Sequence, residues 1–213
     1  MNEKHEKMIE SFKKRYTYGL DSWTKQSYLK DCITVFLEKY SDRHFPEVFE
    51  VGIGSGISSE QILERDSHLT GIDVAQNDNW PQLKEKWGNK FNAYEADIIN
   101  YTTDLRYDLI IDNGCFHHLE PSLYEITLHN VYQLMHVNSI YFLAVFKETD
   151  PDVIEGHTEL IDAGTRRCKF FTSDEITALL ENHSFRVSDQ ILVPRNFGDT
   201  EVIVCVCEKI TVT

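Results

Sequence analysis

The sequence predicts an α/β protein with helices on both faces of a seven-stranded, mostly parallel sheet that ends in an antiparallel hairpin. Three observations carry this. Seven stretches rich in Val, Ile, Phe and Tyr read as strands: "EVFEVGI", "HLTGIDV", "FNAYEAD", "YDLIIDN", "SIYFLAVF", "RVSDQILVP" and "EVIVCVCEK". Helical segments separate the first six, and strand–helix alternation implies parallel pairing. Only "RNFGDT" joins the last two, too short for a crossover helix, so they pair antiparallel.

Taken in order, residues 1–43 are helical, with Met8, Ile9 and Phe12, then Tyr28, Leu29, Ile33, Phe36 and Leu37, recurring every three or four positions. "YTYGLDSW" breaks this pattern into two helices. The capping residue Ser173 with Glu175, followed by Ile176, Leu179 and Leu180 on one face, marks a helix in "SDEITALLENHSF". Residues 147–171 form the one long irregular piece. They begin where open α/β sheets bind ligands, which makes them a candidate lid.

The chain of 213 residues, 41% hydrophobic, is long enough for one domain spanning 1–213, with 1–43 as an N-terminal helical segment over the site. It has neither an apolar leader nor an 18-residue apolar run, so a cytoplasmic location without membrane attachment is expected. Cys32, Cys115, Cys168, Cys205 and Cys207 form no CxxC pair and read as reduced thiols. A net charge of −14 from 21 basic and 35 acidic side chains disfavours a nucleic-acid partner. The small basic clusters Lys13–Arg15 and Arg166–Lys169 are solvated faces or a hold for one anionic group.

"VFEVGIGSGISSE" packs Gly52, Gly54 and Gly56 between a strand and a helix, where bare backbone admits a sharp turn and a closely approaching ligand. The dinucleotide fingerprint GxGxxG fails here, because its third glycine would fall at Ile57 or Ser59. An acid, Glu50, stands two positions before the G-x-G-x-G run instead.

"EVGIGSG" resembles the first motif, D/E-x-G-x-G-x-G, of the class I S-adenosylmethionine-dependent methyltransferases, a Rossmann-like family. "LTGIDV" resembles the second, which implies that Asp73, with Val74 beside it, holds the two ribose hydroxyls of the cofactor. "YEADI" implies that Asp97 accepts from the adenine 6-amino group and that Ile98 offers its amide to the ring. "YDLIIDNGCFHHLE" is similar to the fourth motif, placing Asp112 and Asn113 before methyl donor and acceptor, and "KFFTSDEITALLENHSFRV" resembles the C-terminal segment of small-molecule members, with Ser184 in place of a glycine. The likeness runs from Phe45 to Glu208 and implies S-adenosyl-L-methionine as cofactor and S-adenosyl-L-homocysteine as product.

Methyl transfer from a sulfonium needs donor and nucleophile held in contact, water removed, and sometimes a proton taken. Phe116, Tyr18 and Trp23 offer aromatic faces to the sulfonium; Asp112 either meets its charge or caps the next turn. His117 and His118 are the candidate bases, of which at most one faces the acceptor, and packing is the alternative for each. Neither an H-x-x-x-H nor a carboxylate at helical ligand spacing accompanies them, and only Glu155 and His157 of the candidate lid could approach in space, so no metal is expected. "DNGC" excludes the N-P-P-Y type tetrapeptide of DNA-amine and glutamine methylases, leaving a small-molecule N, O or S acceptor. "DNGCFHHL" partly resembles the "D-R-G-C-F-H" run of thiopurine and tellurite-resistance methyltransferases, with Asn113 in place of arginine; Cys115 reads as packing. The alternatives are a non-methylating enzyme or a regulatory binding protein using the same pocket, and an NAD-dependent oxidoreductase, which the missing glycine disfavours.

Overall fold

The computed structural model describes residues 3–56, 58–161, 166–195 and 199–210. Strands β1 (Glu47–Val51), β2 (His68–Asp73), β3 (Phe91–Glu95), β4 (Tyr107–Asn113) and β5 (Met135–Lys147) run parallel in the order β3-β2-β1-β4-β5. The connections reverse direction at β1, so a crevice opens between the carboxyl ends of β1 and β4, the place where such sheets bind ligands. β9 (Glu201–Lys209) lies antiparallel to β5 from Ile140 to Phe146 and carries β8 (Phe185–Pro194) on its far side. All seven expected strands and the terminal hairpin therefore form; residues 196–198 of the hairpin connection lie outside the described residues.

Alternation along the strands explains why both faces carry helices. Phe49, Ile110, Tyr141 and Leu143 pack on one face against Leu128, Val131, Ile176 and Leu180 of α5 (Tyr124–Leu134) and α6 (Ser173–Glu181), with Met8 of α1 (Glu3–Thr17) in the same cluster. Val48, Leu109, Ile111, Phe142 and Val204 face the other way, onto Ile33 and Phe36 of α2 (Ser27–Lys39), Ile62 of α3 (Glu60–Leu63) and Leu83 of α4 (Trp80–Trp87). Burying each such side chain contributes ~1.5–3 kcal/mol, and a strand slipped by one residue would exchange the two sets. Cys205 and Cys207, both fully buried, share the first face.

Four elements depart from expectation. The segment 147–171 is not irregular: it holds β6 (Thr158–Ile161) and β7 (Arg166–Phe171), an antiparallel pair of which β7 extends the sheet beside Phe146 and Lys147. Residues 162–165 between them lie outside the described residues. The helix after the glycine turn is a single turn, α3, because Ser58 and Ser59 are weak helix formers and the Ser59 hydroxyl is given to Glu50. No helix joins β3 to β4; Asp97 and Ile98 instead accept from Asn100 and Tyr101 in a turn that leads into two threonines. The cap of α6 is Thr172, one residue before Ser173, its hydroxyl accepting from the Glu175 amide at 3.1 Å. Among the described residues, no helix is long and apolar enough to cross a membrane.

Candidate functional site

A cavity of about 280 Å³ opens over the carboxyl ends of β1, β2 and β4. Its floor is the glycine turn. Gly52, Gly54 and Gly56 all hold positive φ (68°, 55° and 74°), a conformation in which a β-carbon is strained. At Gly52 an added β-carbon would also fall 2.6 Å from Cys115 Sγ. The turn is pinned from beneath: Gly52 N and Ile53 N donate to Ile72 O at 2.8 and 3.0 Å, and Trp80 Nε1 donates to Gly54 O at 2.7 Å. Gly52 and Gly54 line the cavity; Gly56 does not, and its place is against Leu83.

Four predicted acids converge here. Asp73, 6% exposed, accepts from Gly54 N at 2.9 Å, Ala75 N at 3.1 Å and the Tyr16 hydroxyl at 3.3 Å. Burial nevertheless lifts its pKa to about 6. Glu50, 2% exposed, accepts from the Ser59 hydroxyl, and burial raises its carboxyl to about 8, aided by the charges of Asp112 and Asp73. Asp112, 1% exposed, is pushed to about 7 by burial although Cys115 N and Phe116 N donate to its Oδ1 at 2.8 and 3.1 Å. It therefore caps the turn after β4, one of the two roles open to it from sequence. No Lys or Arg forms an ion pair with Glu50, Asp73 or Asp112 among the described residues. Asp97 differs: its Oδ2 lies 2.5 Å from Nε2 of buried His5, and Ile99 N donates to Oδ1 at 3.2 Å. Val74 and Ile98 line the cavity beside these acids.

After β4, Asn113 donates its Nδ2 to Leu29 O at 2.8 Å and leaves Oδ1 buried without a partner. His117 is 1% exposed, stacks on Phe146 at 4.0 Å, and has no hydrogen-bond partner at either ring nitrogen. Burial, then the charges of His118, Arg195 and Arg166, hold it well below the usual imidazole range. His118 stands beside it, Nδ1 donating to Arg167 O at 2.7 Å; the carbonyl can only accept. Both histidines line the cavity, and with Cys168 they bring three ligand-type atoms within 4.8 Å of one another. The Cys115 thiol is driven well above its usual range by burial and the surrounding acids, so it packs as a neutral group.

Two aromatic assignments fail. Phe116 turns into the core, stacked on Tyr124 at 4.7 Å, because the tight turn after Asp112 points it away from the cavity. Tyr18 is 72% exposed beyond the end of α1 and lines nothing, whereas Trp23 does reach the cavity. Sequence reasoning placed residues 1–43 over the site without naming the side chains that line it: His5, Met8, Phe12 and Tyr16 of α1 close over the crevice, and Arg166 and Arg195 enter from β7 and the end of β8. The helical spacing of Met8 and Phe12 was visible, but not which way that stripe faced.

No protein-family model matches the chain. It is similar to two Ilyobacter polytropus proteins named malonyl-[acyl-carrier protein] O-methyltransferase. One is 34% identical over 95 residues, 43% of this chain and 36% of that protein. The other is 26% identical over 171 residues, 76% and 60% respectively, so the chain spans less than two thirds of either relative's length. Among solved structures, it resembles the 1,6-didemethyltoxoflavin-N1-methyltransferase of Burkholderia thailandensis, bound to 1,6-didemethyltoxoflavin and S-adenosylhomocysteine. The TM-score is 0.89 at 24% identity, covering 99% of this chain and 92% of that one. With its glycine turn and strand-end acids set on that architecture, the chain has the fold of that S-adenosylhomocysteine-bound methyltransferase.

Proposed function

We propose that the protein is an S-adenosylmethionine-dependent methyltransferase acting on a nucleophilic N, O or S atom of a small molecule. One observation carries this reading: three buried carboxylates, Glu50, Asp73 and Asp112, face a cavity beside an uncovered glycine turn with no Lys or Arg in ion-pair contact among the described residues. Buried acids held near 6 to 8 are costly unless a cation meets them, and S-adenosylmethionine brings both a sulfonium and an ammonium. Asp73 would take the ribose hydroxyls, Asp97 and Ile98 would border the adenine, and Glu50, Asp112 and Asn113 would face the methionine end. When bound, the cofactor supplies an electrophilic methyl group on sulfur.

The chain's own residues orient and dry the site. Met8, Phe12, Trp23 and Tyr28 roof it with apolar surface, which excludes water from the reacting pair. Neutral His117 can hold a hydrogen bond to the acceptor, but an imidazole that resists protonation is a weak base. It suits an acceptor that arrives with its lone pair already available. The relatives' names include both O- and N-methyltransferases, which supports a small acceptor without naming it. Five free cysteines support a reducing compartment such as the cytoplasm.

The test is calorimetric titration with S-adenosylhomocysteine, followed by a metabolite screen for its release from S-adenosylmethionine. Binding with turnover of at least one small acceptor is expected. Tight binding without turnover would favour a regulatory pocket, and NADH binding in its place would overturn the reading.

A further inference from the structure

One histidine at the β3 end of the cavity comes from the roof rather than from the sheet. His5, in the first turn of α1, is 1% exposed and lines the cavity together with Ala96, Asp97 and Ile98. Its Nε2 lies 2.5 Å from Asp97 Oδ2. We propose that His5 is a positioning residue for base recognition: its ring fixes the Asp97 carboxylate so that the site takes a 6-amino purine nucleoside and rejects a 6-oxo one. The inference rests on the methyltransferase reading, which puts the adenine beside Asp97, and deepens it by naming the residue that sets base specificity.

The carboxylate oxygen accepts and the ring N–H donates, so Asp97 is held at both oxygens: Oδ2 by His5 and Oδ1 by the Ile99 amide at 3.2 Å. Each oxygen keeps a further lone pair. The 6-amino group of adenine meets such an acceptor as a donor, whereas the 6-oxo group of hypoxanthine faces it lone pair against lone pair. Discrimination of this kind depends on orientation, because a carboxylate free to turn toward solvent gives up the repulsion together with the bond. The other two aspartates of the cavity are oriented from their own turns. Asp73 has Gly54 N and Ala75 N, and Asp112 has Cys115 N and Phe116 N. Asp97, beyond the end of β3, has a single backbone donor among the described residues, and His5 takes the place of the second across 92 positions of chain.

Packing alone does not account for a histidine here. α1 has other anchors: Met8 lies in the core cluster with Phe49 and Tyr141, Phe12 meets Trp23 edge-on at 5.7 Å, and Lys13 pairs with Glu95 at 2.7 Å. An apolar side chain would fill the same buried place at no polar cost, while His5 leaves its Nδ1 buried without a hydrogen-bond partner. What the imidazole supplies, and a leucine cannot, is the N–H on Asp97.

The experiment is calorimetric titration of the full chain with S-adenosylhomocysteine and, separately, with S-inosylhomocysteine, which differs from it only in the 6-oxo group and the N1 proton of the base. The unaltered protein should prefer the adenine ligand on the order of tenfold or more. His5→Leu should bring that preference to within about threefold, chiefly by weakening S-adenosylhomocysteine. His5→Gln, whose amide nitrogen reaches the place of Nε2, should restore it in part. Equal weakening of both ligands in His5→Leu would mark a contact that only holds the fold and would overturn the inference, as would a preference left unchanged in that variant. Should His5→Leu fail to fold, the pair His5→Gln and His5→Asn decides: the longer amide should keep the preference, the amide one methylene short should lose it, and equal preferences overturn the inference. Absence of S-adenosylhomocysteine binding to the unaltered protein is the failure of the cofactor reading and takes this inference with it, whereas binding of both ligands alike fails this inference alone.

Discussion

Replacing Glu50 by Gln removes one charge from the acid cluster at nearly constant shape, and its consequences run in opposite directions for folding and for binding. In the folded protein the Glu50 carboxyl sits at about 8 rather than 4.5 because it is buried, with Asp112 and Asp73 nearby. The native state therefore keeps a proton that the unfolded chain releases above pH 4.5. Stability is unaffected by this group below pH 4.5 and falls as pH climbs toward 8. At the top of that window the loss is on the order of 5 kcal/mol, at 1.36 kcal/mol per pH unit. Gln cannot ionise, and it keeps an acceptor for the Ser59 hydroxyl while leaving an amide donor that costs about 1–3 kcal/mol if unmatched. Urea denaturation of the ligand-free proteins at pH 5.5, 7 and 8.5 should show the wild type losing stability across the series and Glu50→Gln losing much less, so that the variant gains relative to wild type at pH 8.5. Calorimetry with S-adenosylmethionine should show its affinity reduced about tenfold or more. Parallel pH profiles for the two proteins would refute the reasoning.

Asp73→Ala should cost on the order of 2–4 kcal/mol of cofactor binding by removing a carboxylate from two hydroxyls, and calorimetry showing unchanged affinity would sink the ribose assignment. Gly52→Ala puts a β-carbon at positive φ and 2.6 Å from Cys115 Sγ, so thermal and chemical denaturation should report a loss of about 1–3 kcal/mol together with weakened cofactor binding. Ser184 holds φ at 68° where α6 turns into β8, and Ser184→Gly should stabilise the fold by about 1 kcal/mol in urea without altering S-adenosylhomocysteine binding. Cofactor affinity should rise between pH 5.5 and 8.5, because Asp73, Asp112 and Glu50 release protons from about 6, 7 and 8 to meet a cation; an affinity flat across that range counts against their facing it.

What could be read from the sequence follows from where its signals are local. Val, Ile and Phe at strand density mark β1 to β5, β8 and β9, and the glycines and acids sit at strand ends where a one-dimensional pattern can find them. β7 escaped because Arg166, Arg167 and Lys169 give "RRCKFF" the look of a solvated run. The Arg167 and Lys169 side chains are met by Leu119 O, Gly156 O and Glu175, and the first of these lies 48 residues away in the chain. The particular side chains that roof the site are hidden for the same reason. His5 reaches Asp97 across 92 residues, and the Phe146 ring that gathers His117 and Arg195 lies in a strand whose hydrophobicity reads only as core. Phe116 and Tyr18 show the converse error: aromatic character predicts burial or ligand contact but not direction, which the turn after β4 and the end of α1 decide.

The most direct measurement is a crystal structure of the protein with S-adenosylhomocysteine. The ribose should lie against Asp73, the adenine beside Asp97 and Ile98, and the homocysteine moiety over Gly52 and Gly54 toward Glu50 and Asp112. Adenosine density at any other place, or a cavity that stays closed to the nucleoside at saturating concentration, would contradict the account.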